Sequence, residues 1–517
     1  MFARPTNEVE IQNIIRDLRN SAPGPDNIPA AIIKHSAMYI GQVLSHIINL
    51  SLSEGVVPDE LKIAQVKPLF KSGDASQINN YRPISLLPGF SKILEKCMAT
   101  RLFEFIDRHS ILYKYQFGFR PKHNTSMALH HLVDKVVESL DSSQSIVGVA
   151  LDFRKAFDTV DHTILLGKLY EYGIRGSLHH WFASYLHGRR QFVSWLGADS
   201  TTSLIRCGVP QGSILGPILF LLYINDLPRS CSLTSIIYAD DTNLFVTGRN
   251  IEECINKINT NSLRLLDWIH SNKLSLNLDK TQYIVFSKRK TPPTQHKLLI
   301  DGHIIQRVPS MKFLGVYIDE HLSWRCHISY IRGKVSRSLG MLRCAKPNLN
   351  QNTMVTLYYC FIYPYINYCI DVWGQCSEDL FLSIFRTQKK AVRLISSSHR
   401  RAHTATIFNR LNILPLRCVY IYSCALFMFK HHHHLLPAVM SELFSLNTSV
   451  HYINTRQRTL LHVPRLISTF SKKSIRFRGV FIWNQIPTHP CSIDIDVSVS
   501  SFKSSLRLLL VNDNNAI

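Results

Sequence analysis

The chain has 517 residues, of which 45% are hydrophobic, and a formal net charge of +23 at pH 7. The length allows two to four domains, and the hydrophobic content excludes a globally disordered chain. The excess of Lys and Arg favours a polyanionic partner, with nucleic acid ahead of an anionic membrane. The chain opens with polar residues and has no apolar run long enough to span a bilayer. We therefore expect an intracellular protein with no signal peptide, transmembrane segment or membrane partner.

The first 60 residues are predicted to be mainly helical. Apolar residues follow helical spacing from Val9 to Leu18 and again from Ile32 to Leu52, with a loop rich in Pro and Gly between them. Another amphipathic helix is predicted over Phe90–Ile106. These segments indicate structural support and contain few candidate functional residues.

Two short strands that flank a polar loop are predicted near Val66 and Ile84. Lys67, Lys71 and Arg82 lie on or beside these strands. Arg binds phosphate through paired hydrogen bonds and Lys acts as a point charge, so the three cations are suited to clamp a triphosphate. Exposed surface cations would give the same pattern.

A continuous apolar run over residues 146–151 predicts a buried strand that ends at Asp152. A carboxylate at the point where a buried strand emerges has to be paired or bound to a metal. Asp152 is therefore a candidate functional residue. Asp161 is also explained without a functional role, as the N-cap of the next helix. For Asp158, too, a structural and a functional role both stay open.

A glycine-rich loop, Gly208-Val209-Pro210-Gln211-Gly212-Ser213, precedes an apolar helix predicted over Leu215–Asn225. Glycines let the backbone approach a ligand closely, and a helix start offers unpaired N–H groups to an anion or a base. Taken alone, the loop is explained equally well as a plain turn.

The stretch Ser235–Val246 predicts a β-hairpin with Asp240 and Asp241 at its tip. Adjacent like charges repel, and a divalent cation would remove that repulsion. Carboxylate oxygens suit Mg²⁺, which proteins often hold with one or two carboxylates and substrate phosphates. The alternative is that both are ordinary turn residues.

Beyond the hairpin, we predict a helix over Ile251–Asn272, strands over Tyr283–Phe286 and Met311–Ile318, and a hairpin at Asp301-Gly302. From Trp324 the pattern is mainly helical and basic, which suits a nucleic-acid backbone. The tail after residue 398 mixes basic and aromatic residues. It fits single-strand binding and a small core with a basic surface equally well.

These features fit one reaction. Joining nucleotides requires a 3′ hydroxyl to attack an α-phosphate and expel pyrophosphate. Two metal ions roughly 3.5–4 Å apart can stabilise the attacking oxygen and the leaving oxygen together. Asp152, Asp240 and Asp241 would supply the metal ligands if their strands are neighbours in one antiparallel sheet.

The sequence resembles a known family, the reverse transcriptases of non-LTR (LINE-type, jockey-like) retrotransposons. Six motifs occur in the family's order. The motifs are Asn80-Tyr81-Arg82-Pro83-Ile84-Ser85, Gln116-Phe117-Gly118-Phe119-Arg120, Leu151-Asp152-Phe153-Arg154-Lys155-Ala156-Phe157-Asp158, Gly208-Val209-Pro210-Gln211-Gly212-Ser213, Tyr238-Ala239-Asp240-Asp241 and Phe313-Leu314-Gly315-Val316.

The resemblance implies an α+β right-hand polymerase with fingers, an antiparallel-sheet palm, a helical thumb and a mixed C-terminal region. The implied boundaries are a helical extension of the fingers over 1–60, fingers and palm over 61–318, a basic thumb over 319–398 and a region of unknown role over 399–517. Mg²⁺, or Mn²⁺ in its place, is the implied cofactor, and the nucleus is the implied location.

The resemblance also implies roles for individual residues. Asp152, Asp240 and Asp241 hold the metals, and Lys280 protonates the leaving pyrophosphate. The nucleotide is contacted by Lys71, Arg82, Phe157 as a steric gate against a ribose 2′ hydroxyl, Gln211, Gly212 and Tyr238. Phe313, Leu314 and Gly315 form the primer grip.

The implied partners are an RNA template, a DNA primer or target DNA and deoxynucleoside triphosphates, while the oligomeric state stays open. Because Met1 stands almost at the fingers, we expect a front-truncated reading frame that lacks the family's endonuclease. Two rival hypotheses remain. One is a decayed or domesticated relative that binds RNA without catalysis, and the other is an intron maturase-like reverse transcriptase.

Overall fold

The computed structural model describes residues 1–288, 296–450, 458, 460–465, 470–486 and 493–512. The α-helices within these ranges are α1 (Glu8–Arg16), α2 (Ala30–His35), α3 (Ala37–Glu54), α4 (Gly89–Arg108), α5 (Thr125–Asp141), α6 (His162–Glu171), α7 (Ser177–Leu186), α8 (Leu215–Ile224), α9 (Leu227–Ser230), α10 (Ile251–Ser271), α11 (Arg325–Ala345), α12 (Gln351–Phe361), α13 (Tyr363–Asn367), α14 (Ile370–Trp373), α15 (Glu378–Ile395), α16 (Ala405–Arg410), α17 (Leu416–His432), α18 (Ala438–Ser441), α19 (Asn447–Val450), α20 (Ile475–Gln485) and α21 (Val499–Asn512).

The strands in the same ranges are β1 (Ile63–Phe70), β2 (Tyr81–Leu86), β3 (Ser145–Leu151), β4 (Arg190–Trp195), β5 (Ala198–Asp199), β6 (Ser203–Leu204), β7 (Thr234–Tyr238), β8 (Asp241–Gly248), β9 (Gln282–Phe286), β10 (Leu299–Ile300), β11 (His303–Ile304), β12 (Gln306–Arg307), β13 (Ser310–Phe313) and β14 (Val316–Asp319).

The chain folds into two compact units, and each unit is assembled from separate stretches of sequence. The first unit contains Met1–Phe119, Asp152–Ser232 and Asn261–Leu278. The second unit contains Arg120–Leu151, Leu233–Thr260 and Asp279–Ile517.

The first unit holds a sheet in the order β2-β1-β4-β5, with β6 paired to β4. β1 runs antiparallel to β2 and parallel to β4. The core beside this sheet is helical, and α4 and α7 supply much of it. Trp181 and Phe182 on α7 are completely buried, as is Phe220 on α8. Burial on this scale explains why α8 is apolar all round.

The second unit is built on a sheet in the order β12-β9-β3-β8-β7. Its pairs are antiparallel except for the edge pair of β9 and β12. β3 lies at the centre, and both Ile146 and Val147 on it are completely buried. Since successive side chains of a strand point to opposite faces, both faces of β3 are covered, which accounts for its continuous apolar run. Helix α5 packs against β3 and β7.

Helices complete the second unit. α11 packs on α15, and α17 packs on α14, α20 and α21. The described residues after 398 thus share a compact unit with the β3 sheet. The boundaries at 60, 318 and 398 predicted from the sequence stay predictions.

The α+β class is confirmed, and most predicted elements are present. The helical prediction over Ile32–Leu52 is confirmed, as two helices, α2 and α3, that meet at Ser36. One predicted element is wrong. The stretch Met311–Ile318 forms a hairpin instead of one strand, because Leu314 and Gly315 both adopt positive φ, at 46° and 84°, and turn the chain. None of the helices in the described ranges has the length and apolar character needed to cross a membrane.

Candidate active site

The β7–β8 hairpin of the second unit carries the paired carboxylates. Tyr238 pairs with Asp241, which leaves Ala239 and Asp240 as the turn. Ala239 has φ 59°, a left-handed conformation that is unfavourable for a residue with a side chain. Asp240 is half-buried and Asp241 is exposed. The hairpin predicted from the sequence is therefore confirmed, and backbone strain at its tip is typical of functional turns.

The neighbouring strand β3 ends one residue before Asp152. Within the second unit, β3 pairs with β8 from Ser145↔Gly248 to Leu151↔Thr242. Asp152 is bonded to Leu151 and Asp241 is bonded to Thr242. Asp152 itself belongs to the first unit, where its carbonyl accepts a hydrogen bond from the amide of Asn277 at 2.7 Å.

The donor chemistry of this region suits a hard divalent cation. Among the residues that the structure describes, no three His, Cys, Asp or Glu side chains gather at metal-binding geometry. Mg²⁺, however, is commonly held by one or two carboxylates together with substrate phosphates. Adjacent carboxylates at a strained turn fit that mode of binding.

The glycine-rich loop of the first unit is tied to two other segments. The carbonyl of Gln211 accepts a hydrogen bond from the amide of Ser85 on β2 at 2.8 Å. The Gln211 side chain donates from Nε2 to Oδ1 of Asp158 at 2.8 Å. Burial raises the pKa of the Asp158 carboxyl, and the hydrogen bond from Gln211 opposes that rise. Asp158, which sequence analysis left open, is thus a direct partner of Gln211.

Phe157 packs in an aromatic stack in the first unit. Its ring stacks on Phe220 with centroids 4.3 Å apart and meets Phe119 edge-on at 6.1 Å. Its carbonyl accepts a hydrogen bond from the amide of Val209, at the start of the glycine-rich loop, at 2.9 Å. These contacts fix the Phe157 ring beside the loop that carries Gln211.

The β1–β2 ribbon carries the three predicted phosphate-binding cations on one face. Arg82 stands opposite Leu69, and the amide of Lys71 continues the ladder by donating to the carbonyl of Asn80 at 2.9 Å. Because alternate residues of a strand share a face, Lys71 and Arg82 lie on the same side of the ribbon. Both side chains are exposed. Lys67 on the same face donates to Ser194 Oγ at 2.8 Å.

The start of α8 does not offer the free N–H groups that the sequence suggested. The amides of Ile214 and Leu215 donate to Oε2 of Glu95 at 2.5 and 3.3 Å, and the amide of Gly216 donates to Ser213 Oγ at 2.9 Å. Glu95 lies on α4 and is completely buried. Burial raises its pKa, while Arg189 and the two α8 amides act in the opposite direction. The first amides of this helix are therefore bonded within the protein, to a carboxyl that is distant in the sequence.

The remaining predicted residues lie in the second unit. Lys280 is exposed and lies two residues before the start of β9. Burial raises the pKa of Tyr238, the residue before the strained turn. Leu314 and Gly315 form the turn between β13 and β14, and Phe313 pairs with Val316 at its base.

Gly212 is a position where the geometry demands glycine, and Gly212→Ala tests this. Its φ is +139°, and an added Cβ would lie 2.3 Å from the carbonyl oxygen of Ser85. For the primer extension that the motifs imply, we expect the Ala variant to lose at least about tenfold in rate, because the loop must move away from Ser85 to relieve the clash. Gly188→Ala is the matched control, since its φ is +71° but no atom of the described residues lies within 4 Å of an added Cβ. Equal activity of the two variants would contradict the steric argument.

The fold and these motifs define a class, the nucleic-acid polymerases among nucleotidyltransferases. Within that class, residues 70–318 match the family model described as reverse transcriptase (RNA-dependent DNA polymerase). Residues 70–318 thus form a reverse transcriptase domain, and the recognition made from the motifs is confirmed. The family generally uses divalent metal ions.

Curated relatives from mobile elements extend the match. The chain is 30% identical over 423 residues to a probable RNA-directed DNA polymerase from transposon X-element of Drosophila melanogaster, which covers 77% of this chain and 46% of that protein. It is 29% identical over 421 residues to the RNA-directed DNA polymerase from mobile element jockey of the same organism, with 79% and 46% covered. The chain thus spans about half the length of these relatives.

A solved telomerase from Candida albicans in complex with a TWJ fragment of telomeric RNA also matches, at 12% identity and TM-score 0.41, covering 69% of this chain and 66% of that one. That likeness is too weak to bear on the fold or the site.

Proposed function

We propose that this chain is an RNA-directed DNA polymerase that extends a DNA 3′ hydroxyl on an RNA template with deoxynucleoside triphosphates. The observation that carries the proposal is the β7–β8 hairpin, whose tip holds Asp240 and Asp241 and whose second strand pairs with β3 up to Leu151. The family match over residues 70–318 supports the same activity.

Asp152, Asp240 and Asp241 are proposed to hold Mg²⁺, with Mn²⁺ as a substitute. Chain connectivity supports their joint action, because peptide bonds join Asp152 and Asp241 to the last β3–β8 pair, Leu151 and Thr242. Mg²⁺ bound there would neutralise charge on the attacking and leaving oxygens. The carboxylates would fix the position of the metal ions. Correct placement of the metal ions against these oxygens would then supply much of the rate enhancement.

The first unit is proposed to bind the nucleotide. Arg82 and Lys71 share a face of the β1–β2 ribbon and are suited to bind the triphosphate. Gln211, held by Ser85 and Asp158, would lie along the incoming base. In the reaction, the 3′ hydroxyl gives its proton to water and its oxygen bonds to the α-phosphorus. The bond from that phosphorus to the oxygen bridging to the β-phosphate breaks, and Lys280 Nζ, from the second unit, is proposed to give a proton to the departing pyrophosphate.

Phe157 is proposed to exclude ribonucleotides, and Phe157→Val tests this role. We expect the efficiency with ribonucleotides relative to deoxyribonucleotides to rise by about tenfold or more, because the smaller side chain leaves room for a 2′ hydroxyl. Competing single-nucleotide incorporation measures the ratio. Phe220→Leu controls for loss of the aromatic stack. A similar rise in that control would mean that packing, and not the gate, sets selectivity.

The overall proposal is tested by primer extension with the full chain on a DNA primer annealed to an RNA template, with Mg²⁺ and four deoxynucleoside triphosphates. We expect extension to the template end and none when EDTA is present. A folded protein that binds the RNA but leaves the primer unextended would contradict the proposal and favour an RNA-binding relative without catalysis.

A further inference from the structure

The turn between β13 and β14 is held by a tyrosine from a later part of the second unit. The hydroxyl of Tyr368 donates to the carbonyl of Leu314 at 2.7 Å. Gly315 lies against the same ring, since an added Cβ would meet it at 3.2 Å. One side chain therefore contacts both residues of the turn, by a hydrogen bond and by packing.

Tyr368 is itself placed firmly. Its carbonyl accepts a hydrogen bond from Nε1 of Trp373 at 2.8 Å, and Trp373 is completely buried. The next residue, Cys369, has φ 51° and lies 3.8 Å from the hydroxyl of Thr125, the first residue of α5. Burial raises the pKa of Tyr368, so its hydroxyl keeps the proton that it donates.

A buried carboxylate fixes the same segment to α5. Asp371 is 4% exposed, and its Oδ2 accepts hydrogen bonds from Ser126 Oγ at 2.5 Å and His130 Nε2 at 2.8 Å. Burial by itself raises the pKa of Asp371, but His130 and Ser126 outweigh it and the net shift is downward. Helix α5 also packs on β3 and β7. The segment that carries Tyr368 is therefore held against a helix that packs on the sheet of the β7–β8 hairpin.

We propose that Tyr368 is a positioning residue for the DNA primer. Its hydroxyl fixes the Leu314 carbonyl and so holds the Leu314–Gly315 turn in one orientation toward the primer's 3′ end. The inference rests on the proposed function, in which Phe313, Leu314 and Gly315 grip the primer. It assigns a role to the segment between α13 and α14, which the sequence placed only in a basic thumb.

The test is Tyr368→Phe in the full chain, which removes the hydroxyl and keeps the ring. We expect the KM for primer–template to rise about 3- to 10-fold, the effect of one lost hydrogen bond. The KM for the deoxynucleotide and the kcat per titrated active site should stay within about twofold. Tyr359→Phe is the matched control, since that hydroxyl also donates to a backbone carbonyl, of Asn412, at 3.1 Å. It should leave the KM for primer–template unchanged.

Gly315→Ala provides a second perturbation of the same turn, by strain at φ +84°. If Tyr368 acts through the turn, the double variant should raise the KM for primer–template by less than the product of the single effects. An unchanged KM in Tyr368→Phe, or an equal rise in the KM for the deoxynucleotide, would overturn the inference. Wild-type protein is assayed in parallel, so failure of the polymerase proposal is seen separately as absent extension.

Discussion

Replacing Asp240 with Asn is expected to lower primer extension on the order of 10³-fold, because a neutral amide cannot supply the negative charge that holds a divalent cation. The substitution keeps the size of the side chain at the tip of the β7–β8 hairpin. We therefore expect the unfolding midpoint and the affinity for RNA to change little. The measurement is single-turnover extension across a Mg²⁺ titration, since weakened metal binding shifts the whole curve to higher concentration.

Asp301→Asn is the matched control for this experiment. Asp301 also lies in a hairpin turn of the second unit, between β10 and β11, and has a positive φ of 51°. It should keep wild-type activity, because no proposed role depends on its charge. Extension by Asp240→Asn within a few fold of wild type would refute the assignment of Asp240 as a metal ligand.

Local pattern was enough to predict the elements that carry the carboxylates. β3 was predictable because a central strand buried on both faces needs an unbroken apolar run. The β7–β8 hairpin was predictable because apolar strands resume directly after two acidic residues. The cap on α6 was also visible, since the Asp161 side chain accepts from the amide of Ile164 at 3.0 Å, as a helix cap should.

Contacts between distant residues were beyond the reach of local pattern. Nothing near Leu314 in the sequence indicates that Tyr368 will meet it. The hairpin there was mistaken for one strand because apolar residues, Phe313 and Val316, stand directly on both sides of the turn. Gln211 and Asp158 stand 53 positions apart, and their hydrogen bond depends on how the two loops fold together. Pairing of this kind comes from tertiary packing, which single-sequence propensities do not record.

The sequence also contained a signal for a buried role of Glu95, and this signal was not used. It lies on α4 in line with Met98 and Leu102, at spacings of three and seven residues, on the face predicted to be apolar. A carboxyl on such a face must have buried partners. Its partners are the α8 amides and Tyr185, whose hydroxyl donates to Oε1 at 3.1 Å.

Glu95→Leu is expected to destabilise the first unit by about 3–5 kcal/mol, because it removes a buried carboxyl that accepts hydrogen bonds from two amides and from Tyr185 and leaves those donors unsatisfied. Arg189 is completely buried, and its Nε and Nη2 have no hydrogen-bond partner among the described residues. The attraction between Glu95 and Arg189 therefore adds to the hydrogen bond that Arg189 Nη1 donates to the carbonyl of Tyr185 at 3.2 Å.

Urea unfolding of the full chain measures the effect, with Glu104→Leu as control. Glu104 lies on the same helix but is exposed, and it pairs only at the surface with Arg4 at 3.1 Å. Surface pairs contribute about 0–1 kcal/mol, so the control should unfold near the wild-type midpoint. Because Glu95 holds the helix that follows Gln211, the folded fraction of Glu95→Leu should also show a raised KM for the deoxynucleotide. A wild-type midpoint and KM in Glu95→Leu would mean that the α8 start is held by its surroundings without the carboxyl.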